Sequence, residues 1–260
     1  MKVKANGINI NHQIDGPQTA PWLVLSNSLA TNLSLWDEQV RQLQNSFRIL
    51  RYDQRGHGGT DAPEGRYTFD LLFDDAVALM DALKIERAHF VGISMGGVTA
   101  LGVAKRHPKR LDRIVVCDAG AGSTPATSQQ WEERIAIARE KGMQPLVEPT
   151  VARWVPPQIL ATNAPHIDKV REMIRTTPVN GFIGCAAALA NYDVRPGLDK
   201  LDHRALFMVG AQDATVAGMK EMHAMVPGAA YVELDPAGHI SNLDQPEKFT
   251  RAMRDFLMAA

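Results

Sequence analysis

A serine between two glycines is the residue of this sequence with the clearest chemical potential. The segment Gly92-Ile93-Ser94-Met95-Gly96 fits the pattern G-x-S-x-G, follows the apolar run 89–91 and precedes a helical pattern. In that context the serine occupies a tight turn between a strand and a helix, and its oxygen stands clear of the backbone. An ordinary serine is a weak nucleophile, so the sequence must also supply a histidine that takes its proton and an acid that orients the histidine.

Two later loops carry these partners in a suitable order. Asp213 lies in a glycine-containing turn after an apolar run, and His239 follows Gly238 in a loop after the next run. The carboxyl ends of parallel strands gather at one edge of a sheet, so the three residues can meet there. We predict that Ser94 attacks a carbonyl carbon, that His239 takes and returns the proton, and that Asp213 fixes the histidine tautomer. Asp118, which also follows an apolar run, is the alternative acid.

A tetrahedral oxyanion needs hydrogen-bond donors as well. The backbone N–H of Met95, directly after the serine, is predicted to be one donor. The second is predicted to be the N–H of Leu29, in the loop that follows the apolar run 22–26. The alternative for this loop is that it is only a polar connector.

Short apolar runs and helical patterns alternate along most of the sequence. One predicted helix has an apolar stripe formed by Leu72, Ala76, Leu79 and Leu83. Such alternation is typical of an α/β fold, with a mostly parallel sheet flanked by helices on both faces. Residues 3–13 have the pattern of a hairpin, which could form an antiparallel edge.

The strand pattern stops between about Gly120 and Tyr192. That region is helix-rich and contains several prolines, and the strand pattern returns at Ala205. We predict a core formed by residues 1–119 and 196–260, with a helical lid inserted over residues 120–195.

Composition restricts the function classes. The chain has 260 residues, of which 45% are apolar, and a formal net charge of −1, so a nucleic-acid partner is not expected. No apolar run is long enough to span a membrane, and the first residues lack the apolar core of a signal peptide. Cys117 and Cys185 are expected to be buried thiols rather than a disulfide. These features favour a cytoplasmic enzyme with a small-molecule substrate; they do not indicate an oligomeric state.

Several motifs together resemble the α/β-hydrolase superfamily, and specifically the 3-oxoadipate enol-lactonases of the β-ketoadipate pathway. They are SNSL at 26–29, YDQRGHG at 52–58, GISMGG at 92–97, GAQD at 210–213 and AGHISN at 237–242. The resemblance extends over essentially the whole chain and includes lid residues such as Trp131, Arg134 and the Arg153-Trp154 pair. Departures at Ala30, at 118–120 and at 191–192 lie near the expected pocket, so a different lactone or ester remains open.

The resemblance implies a serine hydrolase that opens a small carboxylated lactone during the catabolism of aromatic compounds, without a cofactor or metal. The substrate carboxylate would then need a cation, and Arg134 is the candidate, with Trp154 as a candidate pocket wall. The alternatives are a solvated arginine on an amphipathic helix and a tryptophan that only packs the lid onto the core. Two other functions remain open: a short-chain carboxylesterase or perhydrolase-like enzyme, and a ligand-sensing α/β-hydrolase.

Overall fold

The computed structural model describes residues 1–259, which form a sheet covered by helices. The strands are β1 Lys2–Ala5, β2 Ile8–Asp15, β3 Trp22–Ser26, β4 Arg48–Tyr52, β5 Ala88–Ile93, β6 Leu111–Cys117, β7 Arg204–Gly210 and β8 Ala230–Leu234. The helices are α1 Asp37–Leu43, α2 Phe69–Ala82, α3 Met95–Arg106, α4 Pro125–Lys141, α5 Val147–Trp154, α6 Pro157–Leu160, α7 Pro165–Thr176, α8 Val179–Ala190, α9 Val216–Met225, α10 Ser241–Asp244 and α11 Pro246–Met258.

The sheet has eight strands in the order β1-β2-β4-β3-β5-β6-β7-β8. The predicted hairpin is present, since β1 and β2 pair antiparallel, and β2 also lies antiparallel to β4. All other pairs are parallel. The prediction of a mostly parallel sheet flanked by helices is therefore confirmed.

The central strands form the core because they are apolar on both faces. Every residue of β5 is buried, and six of the seven residues of β7 are buried, as expected for parallel strands covered by helices on each side. The predicted stripe of α2 packs inward at Leu72, Ala76 and Leu79. Helix α2 begins after Thr68, whose side chain accepts a hydrogen bond from the Leu71 N–H and so caps the first turn.

The parallel register gathers the carboxyl ends of the strands at one edge. Ser26 of β3 lies beside Gly92 of β5, Ile93 of β5 beside Cys117 of β6, and Gly210 of β7 beside Leu234 of β8. The loops that hold Leu29, Ser94, Asp118, Asp213 and His239 therefore all leave the sheet on the same side.

Between β6 and β7 the chain forms the five helices α4 to α8 and no strand. They occupy the region predicted to be a lid, and the division into core and lid stays a prediction. Both cysteines are buried, free thiols. Among the residues the structure describes, no helix is both long and apolar enough to cross a membrane.

Candidate active site

Ser94 sits at a strained turn between β5 and α3. Its backbone has φ +55° and ψ −115°, a conformation that non-glycine residues rarely adopt, and its N–H donates to the Cys117 carbonyl at 2.7 Å. The turn brings α3 against the end of β3, so a Cβ atom on Gly96 would lie 2.2 Å from the Ser26 carbonyl oxygen. Only glycine fits there, which gives the G-x-S-x-G pattern its physical reason.

The structure brings Ser94, His239 and Asp213 into one hydrogen-bonded row. The distance from His239 Nε2 to Ser94 Oγ is 2.9 Å, and His239 Nδ1 lies 2.9 and 3.1 Å from the two carboxylate oxygens of Asp213. Because a carboxylate only accepts, Nδ1 carries the proton and Nε2 is left free to accept the serine proton.

The environment of Asp213 favours its charged form. Burial alone would raise the pKa of this carboxyl. The nearby His239 and hydrogen bonds from His239 and from Thr215 outweigh burial, and the pKa of Asp213 is lowered. Asp213 can therefore stabilise an imidazolium at neutral pH.

Asp118, the alternative acid, points elsewhere. Its side chain is fully buried and accepts from the Gly210 N–H at 2.8 Å, and it lies 2.6 Å from the Ser241 hydroxyl. Burial, and then the negative charge of Asp213, raise the pKa of Asp118 well above its ordinary value. Asp118 thus ties together the loops that carry Asp213 and His239 without contacting the imidazole.

Leu29 and Met95 each present a backbone N–H without a protein acceptor among residues 1–259. Leu29 and Ser94 line the same cavity. The loop of Leu29 is held by its neighbour Ala30, whose N–H donates to His57 Nε2 at 2.9 Å. His57 is buried, which lowers its pKa and keeps the ring neutral, and its other nitrogen lies 3.1 Å from the Arg55 carbonyl.

A cavity of about 380 Å³ opens above the serine. Its core side includes Ser94 and His239, and helices α4 and α5 contribute Trp131, Arg134, Arg153 and Trp154. The volume fits a small organic acid or ester. No group of three or more potential metal ligands is present in the described part of the chain.

Arg134 and Trp154, which were singled out from the sequence, both line this cavity. The Arg134 guanidinium lies 5.0 Å from the centre of the Trp131 ring, and burial lowers its pKa. Trp154 is buried, its ring centre lies 5.4 Å from that of His239, and its carbonyl accepts the His239 N–H at 2.8 Å. Trp154 therefore faces the cavity and also joins α5 to the histidine loop.

Two residues of the site were not singled out from the sequence. Thr215, whose hydroxyl donates to Asp213, has no sequence signal beyond its position two residues after the acid. The sequence indicates Arg153 only as part of a motif that resembles the family's lid. In the structure its guanidinium lies 5.5 Å from the centre of the Trp131 ring, the ring that Arg134 also contacts. The sequence carries no signal for this contact, because it does not show which of its arginines face the cavity.

Comparisons with known proteins agree with this architecture. A family model described as the α/β hydrolase fold matches residues 21–246. The chain is 35% identical to 3-oxoadipate enol-lactonase 2 of Acinetobacter baylyi, over 96% of this chain and 93% of that protein.

Solved structures show the same similarity. The enol-lactonase of Burkholderia xenovorans LB400 superposes with a TM-score of 0.95 at 38% identity, covering 99% of each chain. An esterase of Thermogutta terrifontis, solved with malate bound, superposes with a TM-score of 0.93 at 26% identity, covering 99% of this chain and 98% of that one.

Proposed function

The chain belongs to the α/β-hydrolase fold family, and from that premise we propose that it opens a small enol-lactone that bears a carboxylate. The observation that supports this most directly is a single cavity that holds both the Ser94–His239–Asp213 row and an arginine, Arg134, without an acidic partner among residues 1–259. The Ser94–His239–Asp213 row supplies a nucleophile, and Arg134 supplies a cation for the substrate. The similarity to two enol-lactonases at 35% and 38% identity points to the same substrate class.

In the proposed reaction Ser94 Oγ attacks the lactone carbonyl carbon while His239 Nε2 takes the serine proton. The resulting oxyanion accepts hydrogen bonds from the N–H groups of Leu29 and Met95. The bond from the carbonyl carbon to the ring oxygen then breaks, and His239 returns its proton to that oxygen. The released enol becomes a ketone.

A water molecule completes the cycle. It attacks the acyl carbon bonded to Ser94, and His239 accepts the water proton. The second tetrahedral intermediate collapses, the serine oxygen takes the proton from His239, and the free acid leaves. Asp213 stays ionised throughout and stabilises the transient imidazolium.

A short-chain carboxylesterase is the second candidate, because the malate-bound esterase of T. terrifontis has nearly the same backbone as this chain. The same serine mechanism would apply to either substrate. The two proposals differ in what the cavity selects: a neutral ester does not use the charge of Arg134, whereas a carboxylated lactone does.

The experiment compares kcat/KM for a carboxylated enol-lactone with kcat/KM for p-nitrophenyl acetate. We expect a clear preference for the lactone, and a loss of about 10⁴-fold or more in kcat for Ser94→Ala with both substrates. Circular dichroism of Ser94→Ala should match that of the parent protein. A preference for the neutral ester would favour the carboxylesterase, and full turnover by Ser94→Ala would overturn the mechanism.

A further inference from the structure

A second pocket is formed by helices α2 and α3 together with the segment 191–194. Its volume is about 380 Å³, the same as that of the cavity that contains Ser94. Phe69 and Phe73 of α2 and Gly102 of α3 line it. We call it the α2–α3 pocket and the other space the serine cavity. The reaction proposed above uses no residue of the α2–α3 pocket.

Tyr192 borders both of these spaces. Among residues 1–259 it is the one residue that lines the serine cavity and the α2–α3 pocket. Its ring centre lies 4.9 Å from that of Phe69, which lines the α2–α3 pocket. A Cβ atom on Gly120, which lines the serine cavity, would lie 2.7 Å from the Tyr192 hydroxyl oxygen. The side chain therefore extends from helix α2 to the wall of the serine cavity.

The backbone of Tyr192 is held independently of its side chain. The Ser123 N–H donates to the Tyr192 carbonyl at 2.8 Å, and the Tyr192 N–H donates to the Ser123 hydroxyl at 3.1 Å. Two residues later, the Val194 N–H donates to the Ala121 carbonyl at 3.0 Å. These bonds join the segment that enters the predicted lid to the segment that leaves it. A smaller side chain at position 192 therefore removes none of these backbone hydrogen bonds.

The Tyr192 side chain contributes volume rather than a hydrogen bond. Within residues 1–259 its hydroxyl has no hydrogen-bond partner, because Tyr192 bonds through its backbone alone. Burial raises the pKa of Tyr192 to about 12, so the group is neutral at pH 7. An uncharged ring that borders two spaces acts on a substrate through its size.

The cationic groups of the α2–α3 pocket already have partners. Lys105 Nζ donates to the Val194 carbonyl at 2.8 Å, and the Arg106 guanidinium lies 3.3 Å from the Asp70 carboxylate. The pocket therefore does not need an anion to balance these charges. Its two phenylalanine rings offer a surface for an apolar chain, so the pocket suits an alkyl group.

We propose that Tyr192 determines the longest substrate that the enzyme accepts. Its side chain closes the serine cavity toward the α2–α3 pocket, so a short acyl group fits beside Ser94 and a longer alkyl chain does not. Removal of the ring joins the two spaces and gives a longer chain an apolar wall. This inference rests on the proposed attack by Ser94, and it applies to a lactone and to an ester alike.

The test measures the binding of straight-chain alkylboronic acids, from ethylboronic to octylboronic acid, by isothermal titration calorimetry. Boron accepts an electron pair from Ser94 Oγ while His239 takes the serine proton, so the alkyl group is held next to the nucleophile without turnover. Tyr192→Ala and Tyr192→Leu shorten the side chain to different extents. Tyr192→Phe keeps the ring, and Tyr231→Ala makes the matched change at a tyrosine that lines neither space.

In the parent protein we expect the affinity to rise only for the shortest chains and to fall for octylboronic acid, because the longer chain meets the Tyr192 ring. In Tyr192→Ala the affinity should keep rising, by about 4-fold for each additional buried CH₂ group. Octylboronic acid should then bind Tyr192→Ala at least about 10-fold more tightly than it binds the parent protein. Tyr192→Leu should shift in the same direction by less. Tyr192→Phe and Tyr231→Ala should keep the chain-length dependence of the parent protein.

Circular dichroism and melting temperatures establish which variants are folded. A folded Tyr192→Ala or Tyr192→Leu protein with the parent's chain-length dependence would refute the role of Tyr192. An equal shift in Tyr192→Phe, or tight binding of octylboronic acid by the parent protein, would show that the ring is not a barrier. If no boronic acid binds the parent protein, the proposed attack by Ser94 fails and this inference fails with it, whereas an unchanged chain-length dependence refutes the inference alone.

Discussion

Two aspartates near the histidine have opposite electrostatic environments. Asp213 faces His239 and has a lowered pKa, whereas Asp118 is fully buried in the protein and has a raised pKa. Burial and the negative charge of Asp213 therefore make Asp118 harder to ionise than Asp213. Both residues are aspartates that follow strands, so the difference in pKa comes from burial and from the groups around each carboxyl.

The raised pKa of Asp118 predicts a pH-dependent cost in stability. Above the ordinary carboxyl pKa of about 4 the unfolded chain releases the proton while the folded chain keeps it. The contribution of Asp118 to the free energy of unfolding is therefore largest at low pH. It falls by about 1.4 kcal/mol per pH unit as the pH rises toward the folded-state pKa. Asp118→Asn removes this pH dependence but replaces one of the two acceptor oxygens with an NH2 group. We therefore expect the stability of Asp118→Asn relative to the parent protein to increase from pH 4 to pH 8.

Urea unfolding between pH 4 and pH 8 measures the effect, with Asp202→Asn, a change at an exposed residue, as the control. The activity of Asp118→Asn should stay near that of the parent protein, because Asp213 is the carboxyl that faces His239. A stability advantage that is the same at every pH would show that ionisation of Asp118 is not its source. A large loss of kcat in a folded Asp118→Asn protein would instead favour Asp118 as the acid.

Local sequence patterns predict the helices and strands well, but they do not predict which side chains contact each other across the fold. Strand β3 has the bounds of the apolar run 22–26, β5 contains the apolar run 89–91, and the serine turn lies where the two glycines indicate. The sequence predicts Asp213 as the acid and leaves Asp118 as the alternative, since both follow strands. In the structure the Asp213 carboxylate lies 2.9 Å from His239 Nδ1, whereas the Asp118 carboxylate contacts the Gly210 N–H and the Ser241 hydroxyl.

The loop after β3 gives a prediction for His57. Ala30 adopts φ +56° and its N–H donates to His57 Nε2, so His57 positions the adjacent Leu29 N–H. We expect His57→Leu to lower kcat by about 10-fold to 100-fold with little change in KM, because the Leu29 N–H, the proposed oxyanion donor, would be displaced. His57→Gln provides an amide oxygen that can accept the Ala30 N–H, and should retain most of kcat.

Steady-state kinetics of both His57 variants, together with their melting temperatures, separate positioning from simple packing. If His57→Gln and His57→Leu reduce kcat equally, the hydrogen bond from the Ala30 N–H is not what holds the loop after β3. If KM rises while kcat is unchanged, His57 contributes to substrate binding and not to the transition state.

At the scale of the whole molecule, the helices α4 to α8 follow β6, and α4 and α5 line the cavity above Ser94. The contact at α8 is unusually close: a Cβ atom on Gly181 would lie 1.8 Å from the Gly56 carbonyl oxygen. The Tyr67 N–H also donates to the Gly184 carbonyl at 3.0 Å. Residue spacing alone could not predict these contacts, because the two segments are more than a hundred positions apart in the sequence. We propose that they fix the lid predicted over residues 120–195 above the serine.

Gly181→Ala tests this arrangement, since one methyl group must push α8 away from the loop of Gly56. We expect the free energy of unfolding to fall by about 1–3 kcal/mol, the usual range for overpacking. KM for a carboxylated lactone should rise more than kcat falls, because α4 and α5 carry the arginines while the sheet loops carry Ser94. Asn180→Ala, at an exposed neighbour in the same helix, should change stability by less than about 0.5 kcal/mol. A Gly181→Ala protein with lowered stability and unchanged KM would show that the helices can shift without moving the substrate site, and would remove the proposed role of α8 in placing the lid.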